Sequence, residues 1–268
     1  MGKQSAFSIN LSQEELFVIL IHLKTNALPG LDGSVFDALT NEQKQLALGV
    51  AERGLIAREM LIADSDAHRF KLEPVTFATV GACAKPDLTL MLMKGKLGGP
   101  LLPYFFHLAR KMVVVHSVPM TGIHHFIALE DKKAMLRALI STLDFGSPSK
   151  LDCPEGRMSE DTLTAARKAA SEGGYQSALE ILSQSGLEPS TAENLANSLA
   201  HPASTATLVR IIHHGNGKED ATGGTFLAGD RALWFLEPVE NGSKTGTIAV
   251  SSTSTQEAVT YVKELLSM

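Results

Sequence analysis

Histidine is the residue type here with the widest chemical scope, and its spacing restricts what it can do. The nine histidines include two adjacent pairs, His124-His125 and His213-His214. Both pairs fall in apolar, β-branched runs that read as strands, where neighbouring side chains point to opposite faces. Such a pair does not chelate one ion. A zinc site needs His or Cys at spacings such as HxxxH or CxxC with supporting carboxylates, and neither spacing occurs. A mixed site of His116, His124 and His213 requires the fold to unite three separate strands, so ordinary buried or surface histidines are the expectation. Asp64-Ser65-Asp66-Ala67-His68 offers two carboxylates and a base, but Asp and Ser are the residues that turns recruit for local backbone hydrogen bonding. A solvated turn is expected there.

The remaining chemistries are poorly supplied. Gly95-Lys96-Leu97-Gly98-Gly99, Gly215-Asn216-Gly217-Lys218 and Gly242-Ser243-Lys244-Thr245 lack the full GxxxxGK[ST] phosphate cradle. Lying between strand-like runs, they read as hairpin turns. No GxSxG elbow or HExxH occurs, and Cys83 and Cys153 have no evident activating partner. We therefore expect no catalytic residue, no cofactor and no resident metal.

Two loops read better as surfaces. The stretch from Leu97 to Phe106, containing Gly98-Gly99-Pro100-Leu101-Leu102-Pro103-Tyr104, is unusually apolar for a connection. It either folds back on the core or leaves an apolar patch of the kind that marks interfaces. Gly215 to Gly224 is long and polar, and is expected to be mobile. Trp234 sits in a strong strand pattern, where core packing is the expectation.

The elements that must position these residues follow from punctuation and periodicity. Ser12-x-x-Glu15 is a capping box ahead of Leu16, Phe17, Ile19, Leu20 and Leu23 on one helical face. Thr40-x-x-Gln43 starts a second helix. A third runs from Glu73 to Ala84, with Pro74 in its first turn. Strands follow at Leu88–Met93, Tyr104–Arg110, Met112–Val118 and Ile123–Leu129, then a closing helix around Ala134–Leu143. Asp144 to Arg157, rich in Gly, Pro and Ser, is a linker candidate.

The same order then returns. Helices are expected at Asp161–Ala170, Tyr175–Gln184 and Thr191–Ala200, the last opened by Ser190-x-x-Glu193. Strands are expected at Thr205–His213, Thr225–Ala228, Ala232–Leu236 and Thr247–Ser251, and a final helix is capped by Ser254-x-x-Glu257. This predicts an α+β chain of two pseudo-symmetric halves, residues 1–145 and 159–268 joined by 146–158, with helices packed on an antiparallel sheet and at its ends.

An apolar fraction of 44% with 20% charged residues suits a globular chain with a sizeable core. The net charge of −5, without a basic stretch interleaved with aromatics, argues against nucleic acid. Two isolated cysteines suit a reducing compartment. The start lacks a signal core, and the apolar run Leu16–Leu23 is too short for a membrane span. A cytoplasmic protein without a membrane partner is expected, with a homodimer left open.

Several stretches resemble the EspG family of ESX (type VII) secretion chaperones at a distance. They are Gly186-Leu187, Leu195 and Leu199-Ala200-His201-Pro202 ahead of the late strands, then Ala232-Leu233-Trp234-Phe235-Leu236. In the first half, Ala84-Lys85-Pro86-Asp87-Leu88 and Lys94-Gly95-Lys96 fit the same layout. The resemblance implies a cytosolic, non-enzymatic protein with a quasi-two-fold α+β fold that keeps a helical PE–PPE pair in solution by covering its apolar tip. Carried across, the contact residues are Leu97, Leu101, Leu102 and Tyr104 in the loop, and Leu179, Leu182 and Leu187 in the second-half helices. The loop is shorter, more apolar and less charged than the family pattern. The competing class is a hydrolase with a histidine-based metal site between the halves, and a third is a small-molecule sensor.

Overall fold

Among the described residues, ten strands form one antiparallel sheet, in the order β1 (Ser8–Ser12), β7 (Ile123–Leu129), β6 (Met112–Met120), β5 (Leu102–Ala109), β4 (Leu88–Gly95), β9 (Pro202–His213), β10 (Glu219–Gly229), β11 (Leu233–Val239), β12 (Thr247–Thr253), β8 (Gly156–Ser159), and two more, β2 (Leu61–Asp64) and β3 (Arg69–Leu72), make a separate hairpin. The structure is a computed structural model that describes residues 7–25, 27–64, 69–96, 99–146, 148–215, 217–239 and 246–267. With seven α-helices, the chain is an α+β protein among these residues. None of the helices is long and apolar enough to cross a membrane. The chain divides into two compact units, each drawn from three stretches of sequence.

Unit 1 comprises Met1–Leu90, Leu102–Met135 and Ile211–Asp220. Strand β1 (Ser8–Ser12) runs directly into helix α1 (Gln13–His22). Ser12 both ends the strand and caps the helix: its Oγ accepts from Glu15 N at 3.2 Å, and its own N–H donates to Glu15 Oε2 at 2.9 Å. Two orphan donors are thereby satisfied, a device worth about 1 kcal/mol. Helix α2 (Asn41–Ala57) carries the matching Thr40/Gln43 box. The hairpin β2 (Leu61–Asp64) and β3 (Arg69–Leu72) leads to α3 (Pro74–Ala84). The Glu73 carboxylate accepts from Val75 N and Thr76 N at that helix start. Those bonds hold its pKa below the usual range even though burial, the largest influence, opposes them.

Pro86 stops the run, and β4 (Leu88–Gly95), β5 (Leu102–Ala109), β6 (Met112–Met120) and β7 (Ile123–Leu129) follow, then α4 (Lys132–Leu143). The unit's core joins Leu16, Ile19 and Leu20 of α1 to Leu55, Val80, Val114 and Phe126.

Unit 2 comprises Met91–Leu101, Leu136–Arg210 and Ala221–Met268. It repeats the opening device: β8 (Gly156–Ser159) ends on Ser159, whose Oγ accepts from Thr162 N at 3.0 Å at the start of α5 (Glu160–Ser183). Gly174, at φ 73°, breaks α5 into two helical pieces, a left-handed geometry that glycine adopts without a Cβ penalty. Helix α6 (Pro189–Ala200) precedes β9 (Pro202–His213), β10 (Glu219–Gly229), β11 (Leu233–Val239), β12 (Thr247–Thr253) and α7 (Thr255–Ser267). Its core gathers Leu163, Leu182, Leu187, Leu195 and Leu199 against Trp234 and Val250.

Several elements differ from expectation. Strands β1, β2, β3 and β8 were not anticipated: each is four or five residues long, too short for a clear period-two signal. Strand β8 lies at the end of the segment read as linker. Helix α6 begins at Pro189 with Glu188 as N-cap and no side-chain cap bond, so Ser190 does not open it; proline's fixed φ suits the first helical position instead. Within the stretch read as a loop from Gly215 to Gly224, His214 N donates to Lys218 O at 2.9 Å, and Glu219–Gly224 is already strand. Residues 65–68, 97, 98, 216 and 242–245 of the turn expectations lie outside the described residues.

Candidate functional site

The apolar β4–β5 connection is built around Gly95. A Cβ on Gly95 would meet the Pro100 carbonyl oxygen at 2.6 Å and Leu101 Cα at 3.3 Å, so glycine lets the chain fold back over the strand end. Gly99 N donates to Lys96 O at 3.0 Å. The leucines that emerge do not return to a core. Leu101 and Leu102 are 46% and 45% exposed, and Tyr104 is half-buried. Leu97 lies outside the described residues.

The helical half of the expected surface divides differently. Leu179 is half-buried against the unit 2 core, whereas Leu182 and Leu187 are interior at 0% and 6% exposure. Leu187 also fills the space that a Cβ on Gly156 would need. Leu182 and Leu187 are thus core residues, because the apolar stripe of α5 that carries Ala178 and Leu182 faces inward. Of the described residues in the expected contact set, Leu101 and Leu102 are the exposed ones.

The histidines form a second constellation, all of it inside unit 1. Strands β5, β6 and β7 place Phe105, His107, His116, His124 and Phe126 side by side. Phe105 lies opposite His116, and His116 opposite Phe126. The His116 ring stacks on Phe126 with centroids 4.5 Å apart and on Phe105 at 5.3 Å. His116 Nε2 and His124 Nδ1 share a hydrogen bond of 2.9 Å. A separate chain runs Glu219 Oε1–His213 Nδ1 (2.9 Å), His213 Nε2–Thr89 Oγ1 (3.0 Å), Thr89 Oγ1–His107 Nδ1 (3.0 Å). A cleft of about 490 Å³ opens beside its outer end, lined by Phe17, Leu28, Pro29, Cys83, His213 and Glu219.

Burial sets the character of these rings. His107, His116 and His124 are 0–1% exposed. Burial, aided by His213, pushes His107 down to about 3. Burial and its histidine neighbours push His116 well below the ordinary value, and burial lowers His124. All three are neutral at neutral pH, since a low-polarity site disfavours the charged ring. His107 Nε2 and His116 Nδ1 have no hydrogen-bond partner.

Two of the three histidines named for a mixed site, His116 and His124, are therefore brought together, while His213 belongs to the other chain. Among the described residues no group of three His, Cys, Asp or Glu could hold a metal ion. The Cys83 thiol is buried, bonded to Thr79 O at 3.4 Å and pushed up by desolvation, which makes it inert as a nucleophile. Thr89, His107 and Glu219 were not singled out from sequence. The period-two alternation of Phe105 with His107, and of His124 with Phe126, was the available signal.

No family model matches the chain, and no curated protein matches it. Among solved structures it is similar to the type VII secretion system chaperone EspG5 of Mycobacterium tuberculosis, determined in complex with a PE25–PPE41 dimer. The TM-score is 0.66 at 11% sequence identity, covering 97% of this chain and 96% of that one. A likeness of that length at that identity is one of backbone course rather than of side chains: the chain has an EspG-like fold.

Proposed function

We propose that this chain is a non-catalytic binding protein of the EspG chaperone kind, which keeps a helical client of the PE–PPE type in solution in the cytosol. The end-to-end likeness of fold to a chaperone determined together with a PE–PPE dimer supports this reading most directly. The exposed Leu101–Leu102 pair supports it locally, since an apolar centre with a polar rim is what a protein interface needs. Leu179, partly buried, belongs to the proposed contact set, along with Leu97 and Tyr104. The repeated order of strand, serine cap and helix at Ser12 and Ser159 supports reading residues 1–145 and 159–268 as a duplicated module joined by 146–158.

Replacing Leu101 and Leu102 together by Asp is expected to leave the melting temperature unchanged, because neither side chain is in a core. Client affinity should fall by roughly 100-fold, as for loss of an interface centre. Co-expression with a PE–PPE pair from the same genome, followed by affinity capture and titration, reads both. Equal capture by the wild type and the double variant would defeat the proposal, as would a wild type that captures no such pair.

A further inference from the structure

Among the described residues, unit 2 holds an arginine whose Nε is buried without a partner. Arg167, in the first half of α5, lines a cleft of about 420 Å³ with its Nε buried and without a hydrogen-bond partner. The residue is half-buried there, and burial lowers its pKa. A partly desolvated guanidinium with an unpartnered donor is unfavourable unless something completes it, so folds retain one where a ligand can.

The rest of the cleft indicates what that is. Thr207 Oγ1 and Thr225 Oγ1 line it and lie 2.9 Å apart. In such a pair one hydroxyl donates to the other, and the accepting hydroxyl keeps its own proton to offer outward. Thr164 adds a third hydroxyl, while Leu163, Leu236 and Ile248 supply apolar wall. Glu160 is the one carboxylate among the described lining residues; its backbone N–H is held by Gly246 O at 3.0 Å. Arg167 is the one cation among the described lining residues, so it matches a single negative charge and leaves the second charge of a dianion such as phosphate unmatched. A planar carboxylate matches the guanidinium fork in charge and geometry, and the walls favour an apolar remainder.

We infer that this cleft is a binding site for a small monocarboxylate with an apolar tail, seated on Arg167 and the Thr207–Thr225 hydroxyls. The site lies within unit 2 and is independent of the chaperone reading. Its volume is in the range of small-molecule pockets.

Hexanoate is a suitable probe, with hexanol as its neutral counterpart and inorganic phosphate as the dianion. Calorimetric titration of the whole chain should show hexanoate binding at least roughly tenfold more tightly than hexanol or phosphate. The Arg Nε–H resonance of Arg167 should shift with the same midpoint. Arg167→Met should abolish the preference over hexanol while melting at or above the wild-type temperature without ligand, because it removes a buried donor that lacks a partner. Thr207→Val should weaken hexanoate alone. Three results would each overturn the assignment: hexanol binding as tightly as hexanoate, an Arg167→Met variant that retains the preference, or absence of any hexanoate binding by the folded wild type.

Discussion

Acidification from pH 7.5 to about 4.5 is expected to remove roughly 2–3 kcal/mol of stability through His107 alone. An unfolded histidine takes up its proton near 6.5, whereas folded His107 does so only at about 3. Because the folded value is depressed, the contribution is fully present above the unfolded value. It is withdrawn as pH falls from 6.5 toward 3, the window in which the unfolded chain binds the extra proton. His116 and His124 act in the same direction. Among the described residues no carboxylate bonds His107 directly: its neighbours are Thr89, Phe105, His116 and, through Thr89, the His213–Glu219 pair. Urea unfolding across pH 4.5–7.5 measures the slope. His107→Phe keeps the stack with Phe105 and leaves Thr89 bonded to His213, so it should flatten the dependence by about one proton. An unchanged slope in that variant would refute the assignment.

Replacement of Trp234 by Ala should cost about 3–5 kcal/mol, the range for deleting a large buried aromatic. The side chain is 0% exposed. Its Nε1–H donates to Ser198 Oγ at 2.9 Å, and that hydroxyl donates in turn to Asn194 O at 3.1 Å. Trp234→Ala therefore opens a cavity among Leu195, Leu199 and Leu227 and removes the polar link from β11 to α6. Trp234→Phe should fall between the two, losing the bond and part of the volume. At about 2–4 °C per kcal/mol for a chain of this size, the alanine variant should melt roughly 10 °C lower by circular dichroism. A shift of only a degree or two would show that the core closes around the gap. The chain has a single tryptophan, so wild-type fluorescence reports unit 2 specifically.

Much of the architecture was legible because helix starts are written in local chemistry. The boxes at Ser12/Glu15, Thr40/Gln43 and Ser254/Glu257 all form, and Pro74 sits at the start of α3 as its missing N–H allows. Ser190/Glu193 misled because Pro189 beside it fixes the first turn more strongly than a serine hydroxyl does. Short edge strands were illegible: Ser8-Ile9-Asn10-Leu11-Ser12 alternates correctly, but its two apolar residues are too few to stand out. The polar half of β10, Glu219–Gly224, carries no apolar alternation because it is largely exposed, and its pairing comes from the partner strand.

The site shows the same division. Composition picked out an apolar loop, and Leu101 and Leu102 do stand exposed. Helical periodicity cannot separate an inward leucine from an outward one, so Leu182 was grouped with Leu179 although only the latter reaches the surface. For the histidines, strand alternation correctly set His124 apart from His125. The alignment of His107, His116 and His124 depended on which strands are neighbours, a matter of register that no local pattern encodes.

Unit 1 draws its last segment, Ile211–Asp220, from late in the chain, and His213 bonds a threonine 124 residues upstream. On a ribosome adding about 5–20 residues per second, the nascent N-terminal elements wait roughly 5–15 s for that segment to emerge. During that interval Thr89 and His107 lack the ring and carboxylate that complete their hydrogen bonds. Synthesis speed through residues 136–220 thus sets how long an unfinished polar layer must survive before the polypeptide can close it.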